Sequence, residues 1–355
     1  MTSNKRISVF GAYGHTGRFV VAELLKRGLM PILCGRDRDR LEAVSNAHRG
    51  LELRVATLAD PDSLSVAIAG SSAVVNCAGP FLDTASPIVD AAIRLRIPYL
   101  DIAAEQAAVL NVFERFDTHA KAAGIVVVPA MAFYGGLGDL MATAAMDDWD
   151  FVDEICIAVG LDSWKPTQGT RLTGARNPGK RFIFSNNTLQ RADAPLGRRW
   201  DFPAPFGEQE VVSLSMAETI TISHHLKTPE IRVFMNLAPL TDLRNPDTPP
   251  PTPADASGRS AQIFLMDVIV RRGDDYRRVV AKGQDIYAIT APIVAEATER
   301  VINGQARTLG VGGAGEVFDA FDFLRSLQPF AQIEMQGRGW KAPSSLAAAI
   351  QRTDR

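Results

Sequence analysis

The stretch Val9–Val20, "VFGAYGHTGRFV", decides how the rest of the chain is read. An apolar run ends at Phe10, glycines follow at Gly11, Gly14 and Gly17, and a helical pattern begins at once. Glycine permits a tight turn, lets a ligand approach the backbone and lets a helix close on a strand. The helix N-terminus adds unpaired N–H groups and the positive end of its dipole, which together suit a phosphate. Strand, glycine loop and helix in this order form a variant of the dinucleotide-binding fingerprint. Gly11, Tyr13, Gly14, His15, Thr16 and Gly17 are therefore candidate cofactor-binding residues, with the Thr16 hydroxyl available to a phosphate oxygen.

Working outward, apolar runs alternate with helical patterns. "RISVFGA", "MPILCGR", "LELRVATL", "SAVVNCAG", "PYLDIA" and "IVVVPA" read as strands, and the segments between them carry helical recurrence. That alternation predicts βαβ units and a parallel sheet buried on both faces. The pattern then changes. "FVDEICIAVGL", "GKRFIFS", "EVVSLSMAETITISHHL", "IRVFMNL" and "IFLMDVIVRRG" read as strands with few helices between them, as in a mostly antiparallel or mixed sheet. "RNPDTPPPTPADASG" reads as a long polar loop, "YAITAPIVAEATERVING" as a helix ending at Gly304, "EVFDAFDFLRSL" as a further helix, and the tail "SSLAAAIQRTDR" as helical. The expected layout is residues 1–132 as a dinucleotide-binding domain and 133–305 as an α+β substrate or dimerisation domain. Residues 306–355 are expected to be C-terminal helices packing back on the first domain.

The 355 residues suit two domains, and a content of 46% hydrophobic residues allows a large core. A net charge of -2 with 22% charged residues argues against a general nucleic-acid binder. The cysteines Cys34, Cys77 and Cys156 are scattered, without a disulfide framework or a metal-ligand spacing, so no metal site is expected. "MTSNKRISVFG" enters the first strand directly and no run is long enough to span a membrane, so a cytoplasmic protein is expected.

The end of the second strand selects the dinucleotide. An acid there would bind the ribose hydroxyls of NAD. The sequence is "CGRDRD": Arg36 stands at the strand end, and a guanidinium suits the 2′-phosphate of NADP(H). Asp37, the next residue, would serve NAD instead. At the end of the fourth strand, "VVNCAGPF" supplies Asn76, Cys77, Ala78, Gly79 and Pro80, small or polar residues beside which a nicotinamide ribose could lie, while Phe81 shapes a wall.

Together, "VFGAYGHTGRFV", "CGRDRDRLEAV", "VVNCAGPF" and "PYLDIAAEQ" resemble the saccharopine dehydrogenase-like family, over about the first 140 residues. A short echo follows at "YAITAPIVAEATERVINGQARTLGVGG". The family includes saccharopine-forming and saccharopine-reducing enzymes, imine-forming dehydrogenases and bacterial trans-acting enoyl reductases. The resemblance implies an α/β fold: a Rossmann-type doubly wound parallel sheet, then an α+β domain on a mixed or antiparallel sheet. It also implies NADP(H) and hydride transfer without fixing the substrate; the expected reaction is reduction of a C=N or C=C bond of a small molecule, with the direction open. In "MAFYGGLGDL", Asp139 matches an acid of the family, whereas Tyr134-Gly135-Gly136 departs from its usual residues.

Reduction needs a proton donor beside the hydride. The candidates are Tyr134 just past the sixth strand, Asp101 at the mouth of the sheet, and Asp139. Glu105 reads as a first-turn acid. His224-His225 on a strand would face opposite ways, and Arg171, Arg176, Lys180 and Arg181 form a basic loop. The expected function is an NADP(H)-dependent oxidoreductase acting on a small molecule, the alternative a non-catalytic NADP(H)-binding redox-sensing regulator. A strand-rich second half leaves room for a sheet-to-sheet homodimer.

Overall fold

The computed structural model describes residues 5–176 and 181–337. Strand and helix alternate through β1 (Arg6–Phe10), α1 (His15–Lys26), β2 (Met30–Gly35), α2 (Arg38–Ala47), β3 (Leu53–Val55), α3 (Pro61–Ile68), β4 (Ala73–Asn76), α4 (Phe81–Leu95), β5 (Tyr99–Asp101), α5 (Gln106–Ala123) and β6 (Val126–Val128). A kinked turn, Phe133–Leu137, leads into α6 (Gly138–Met146), β7 (Glu154–Leu161) and α7 (Gln168–Arg176). Then come β8 (Phe182–Ser185), β9 (Thr188–Arg191), β10 (Gly197–Phe202), β11 (Gly207–Ser213), α8 (Ala217–Ser223), β12 (Ile231–Asn236) and α9 (Leu237–Arg244). The chain continues with β13 (Ile263–Arg272), β14 (Asp275–Gln284), α10 (Ile286–Ile302), β15 (Gly310–Val311), α11 (Ala314–Val317), α12 (Ala320–Ser326) and β16 (Ala331–Gly337).

The first sheet is all parallel, in the order β15-β6-β5-β4-β1-β2-β3. The strand order changes direction between β1 and β4, the switch point outside which such sheets bind ligands. The second sheet runs β10-β11-β12-β7-β13-β14-β16, with β8 joined to β12 and β9 joined to β8. It is mixed, because β12 and β7 are parallel while the other pairs are antiparallel.

One core spans both sheets. Val20, Val21 and Leu24 recur at helical spacing on α1 and are fully buried. Each such side chain contributes about 1.5–3 kcal/mol of apolar burial. α1 packs against α10, whose buried face carries Ile289, Ile293 and Val294. Arg27 Nη1 ties the pair at its edge, donating to Glu296 (2.5 Å) and Glu299 (3.0 Å).

Several expectations are corrected. "MAETITIS", read as strand, holds helix α8, because Ala217–Ile222 are buried on all sides, against the kinked turn and α5 among others. His224 and His225 accordingly follow a helix end instead of alternating on a strand. Gly169–Arg176, read as loop, lies within α7. The region after 305 is not all helical: β15 extends the parallel sheet and β16 closes the edge of the mixed one. Lys180 and residues 344–355 lie outside the described residues.

Candidate active site

The glycine loop is shaped by close approach. Gly11 has a φ of +72°, and a side-chain carbon there would stand 2.8 Å from the backbone of Cys77 and Ala78, after β4. A carbon on Gly17 would stand 2.2 Å from the Gly11 carbonyl oxygen, so α1 can reach the loop only with glycine at 17. Gly14 is the N-cap of α1 and has no side chain to give its first turn. α2 and α3, by contrast, are capped by Asp37 and Asp60. The first N–H groups of α1 are thus left for a ligand oxygen. Thr16 lines the adjoining cavity. His15 stands edge-on to Phe19 and Tyr287, each at 5.3 Å, and burial lowers its pKa, which keeps the ring neutral.

At the end of β2 the residues divide as their chemistry requires. Arg36 is exposed and has no hydrogen-bond or ion-pair partner among the described residues, so its guanidinium is available to a phosphate. Asp37 is engaged: its carboxylate accepts from Arg40 N at 3.1 Å as the α2 cap. Tyr13 lies across Gly35, where a side-chain carbon would meet its ring at 2.7 Å, and the Arg40 guanidinium covers the ring at 4.3 Å.

After β4, Asn76 is fully buried. Its Nδ2 donates to Thr84 Oγ1 and Tyr99 Oη, and its Oδ1 accepts from Ala78 N at 3.0 Å. It shapes the Cys77–Pro80 loop from behind and offers no free atom to a ligand. Cys77 and Gly79 face the cavity, while Pro80 caps α4. Burial raises the Cys77 thiol pKa, so it stays protonated.

A cavity of about 450 Å³ runs from Thr16, Cys77 and Gly79 to Phe133, Tyr134, Trp164 and Tyr287. This falls within the usual range for small-molecule sites. A second depression, about 620 Å³, is lined wholly by strands of the mixed sheet around Trp200 and Arg278, away from the glycine loop. Over the first cavity, the Tyr287 hydroxyl accepts from Trp164 Nε1 (2.9 Å) and Thr167 N (3.4 Å) and pairs with Thr170 Oγ1 (2.9 Å). These bonds hold the segment leading into α7. Arg176 then binds Asp83 of α4 with two nitrogens, joining the far end of α7 to the first sheet's layer.

The three proposed proton donors separate. Tyr134 lines the cavity, and its hydroxyl is buried without a partner among the described residues. Its ring stacks on Trp164 (5.6 Å) and meets Phe133 edge-on (4.9 Å). Asp101 is outside the cavity lining: its carboxylate accepts from Tyr99 Oη, Ala103 N and Ala130 N, and burial pushes its pKa up to about 6. It fixes the turn after β6. Asp139 is also outside the lining, fully buried and bonded to His225 Nε2 at 2.7 Å. A carbon on Gly313 or Gly315 would strike its carboxylate, so the pair joins α6, the end of α8 and the turn before α11. Glu105, read as a first-turn acid, caps the start of α4 by accepting from Phe81 N at 2.9 Å.

Sequence reasoning missed Glu218. It is buried on α8, and its Oε2 accepts from Gly135 N at 3.0 Å, which fixes the kink that aims Tyr134. Its Oε1 has no partner among the described residues, and burial pushes its pKa up to about 7. The only sequence mark was an acid inside the apolar run "MAETITI".

With this geometry in hand, the sequence similarity is specific. The saccharopine dehydrogenase NADP binding domain model matches residues 7–128, β1 through β6. Residues 7–128 belong to that family. The cofactor of the saccharopine dehydrogenase-like domain is NADP(H), in accord with the free Arg36 and the engaged Asp37. Two curated relatives match over 140 residues, about a third of this chain and of their own length. One is a probable mitochondrial saccharopine dehydrogenase-like oxidoreductase of Arabidopsis thaliana (30% identical), the other a lipid droplet localized protein of Caenorhabditis elegans (29%). The described fold is similar to that of saccharopine dehydrogenase (L-Glu forming) from Saccharomyces cerevisiae. That match has a TM-score of 0.64 at 11% identity, covering 94% of this chain and 100% of that one. No helix among the described residues is long and apolar enough to cross a membrane.

Proposed function

We propose that the chain is an NADP(H)-dependent oxidoreductase that reduces a C=N or C=C bond of a small molecule held between the glycine loop and the mixed sheet. The observation that carries the reading is continuity: one cavity joins Thr16 and Cys77 to the unpartnered Tyr134 hydroxyl. The backbone of Gly11–Gly17 would hold the pyrophosphate, Arg36 the 2′-phosphate, and Cys77–Gly79 the nicotinamide ribose. When bound, NADPH supplies the hydride.

The chain's own residues place the acceptor and supply the proton. Phe81, Phe133 and Trp164 give apolar walls that exclude water. Tyr134 donates the proton to the atom of the double bond that does not take the hydride, the imine nitrogen or the enone α-carbon. Burial raises its pKa well above the ordinary value, so the phenol is protonated at neutral pH. Asp101 and Asp139 act as positioning residues for the turn that carries Tyr134.

The test is NADPH oxidation against a panel of enones, cyclic imines and 2-oxo acids, with wild type and Tyr134→Phe. Turnover of an enone or imine that falls in the variant supports the reading. Tight NADPH binding without turnover of any acceptor would support a redox sensor instead.

A further inference from the structure

Arg181 enters the cavity beside Tyr134 as a partly buried cation without a counter-ion among the described residues. Its Nη1 donates to Ser215 O (2.7 Å) and contacts Met216 Sδ (3.1 Å). Its Nε and Nη2 meet no acceptor, and no carboxylate lies within ion-pair distance among the described residues. Burial lowers its pKa, as expected of an under-compensated guanidinium. The nearby acid is Glu218, which bears electrostatically on both Arg181 and Tyr134. Glu218 is completely buried, has one oxygen unpartnered, and receives only a neutral backbone N–H on the other. Such a carboxyl favours its uncharged form, so it does not neutralise Arg181.

The other charged residues of the cavity wall are held by backbone groups, and Arg171 makes one of its bonds at the exposed surface. Glu105 accepts from Phe81 N and Ala104 N, and Arg171 Nη2 donates to Asn245 O and Thr248 O. The remaining wall is largely apolar, with Ile102, Leu214 and Leu243 beside the aromatic rings. Arg181 is the cation of this wall whose charge burial penalises, and it fits one anion. A neutral carbonyl would leave the positive charge unmatched, whereas a carboxylate can accept from both Nε and Nη2 and supply the missing charge.

Resting on the reading of this cavity as the substrate site, we infer that Arg181 forms a carboxylate subsite and that the substrate is an amphiphilic monoanion: one carboxylate on an apolar body carrying the reducible bond. Arg181 is a specificity-determining residue, Tyr134 the proton donor, and Glu218 the neutral neighbour that leaves the Arg181 charge unspent.

The probes are 4-phenylbutyrate and its amide, of the same shape but differing in charge. Each is titrated into the full-length protein at about pH 6, where Glu218 is neutral, with and without saturating NADP+, following tryptophan fluorescence, to which Trp164 of the cavity wall contributes. The carboxylate is expected to bind about tenfold or more tighter than the amide. Arg181→Gln equalises the two, Arg181→Lys keeps part of the preference because it retains charge without the fork, and Glu218→Gln keeps it in full. Equal binding of the two probes by wild type, or an unchanged preference in Arg181→Gln, overturns the inference. Failure of NADP+ to bind in the same samples counts against the oxidoreductase reading alone, since the cofactor-free titrations still report the subsite.

Discussion

Replacing Glu218 by glutamine should change how stability depends on pH, in a direction fixed by the structure. The carboxyl is 1% exposed, and burial moves its pKa from the ordinary 4.5 up to about 7. Between those values the folded state holds a proton that the unfolded chain releases. Stability therefore falls as pH rises through that window and levels off above it. Over the width of that window, at about 1.4 kcal/mol for each pH unit, the loss comes to about 3 kcal/mol. The glutamine would keep the volume and an oxygen for Gly135 N, but it does not titrate. Asp101, whose pKa is pushed up to about 6, contributes a loss of the same sign, and His225, raised by Asp139, loses its stabilising charge as pH rises through its folded value. Both groups are present in both proteins and cancel in the difference. The assay is urea unfolding of wild type and Glu218→Gln at about pH 4.5 and about pH 8. Wild type should lose about 3 kcal/mol more than the variant between the two. Parallel behaviour would refute a neutral, buried Glu218, and with it the uncompensated charge on Arg181.

Arg36→Ala should weaken NADPH binding by about 1.5–3 kcal/mol and leave NADH unchanged, read by fluorescence titration; equal losses for both would remove the phosphate assignment. Gly17→Ala places a methyl 2.2 Å from the Gly11 carbonyl, so the helix must withdraw. Its expected cost is about 1–3 kcal/mol of stability with loss of cofactor binding, measured by thermal unfolding with and without NADP+. Tyr134→Phe should lower kcat by about 10²–10⁴-fold with little change in NADPH affinity, because only the unpartnered hydroxyl is removed.

The parallel sheet was legible because its signals are local. In "VFGAYGHTGRFV" a β-branched run, a glycine turn and a helical recurrence fall within twelve residues, and the same units repeat to Val128. The cofactor choice was legible for a similar reason, since Arg36 and Asp37 stand directly at a strand end. The second half was harder. "AETITIS" has strand-like composition, yet it forms a helix because Ile220 and Ile222 are buried by elements distant in sequence. β15 is two residues long and joins the first sheet almost two hundred residues after β6. The candidate site depends on such long-range placement. Tyr134 could be named from its position after β6, but its partner Glu218, which holds Gly135 N, lies 83 residues beyond that glycine. Asp101 and Asp139 had the right chemistry and sit near the right loop. Their contacts turn them toward backbone N–H groups and a histidine, which no local pattern records.

Hydride transfer itself is the claim on which the rest stands. NADPH deuterated at the transferring position, incubated with the enone and imine panel, reports it directly by mass spectrometry of the products. One deuterium in the reduced product, with the matching loss of NADPH absorbance, is the expected result. Unlabelled acceptors throughout, with NADPH bound but unoxidised, would contradict it.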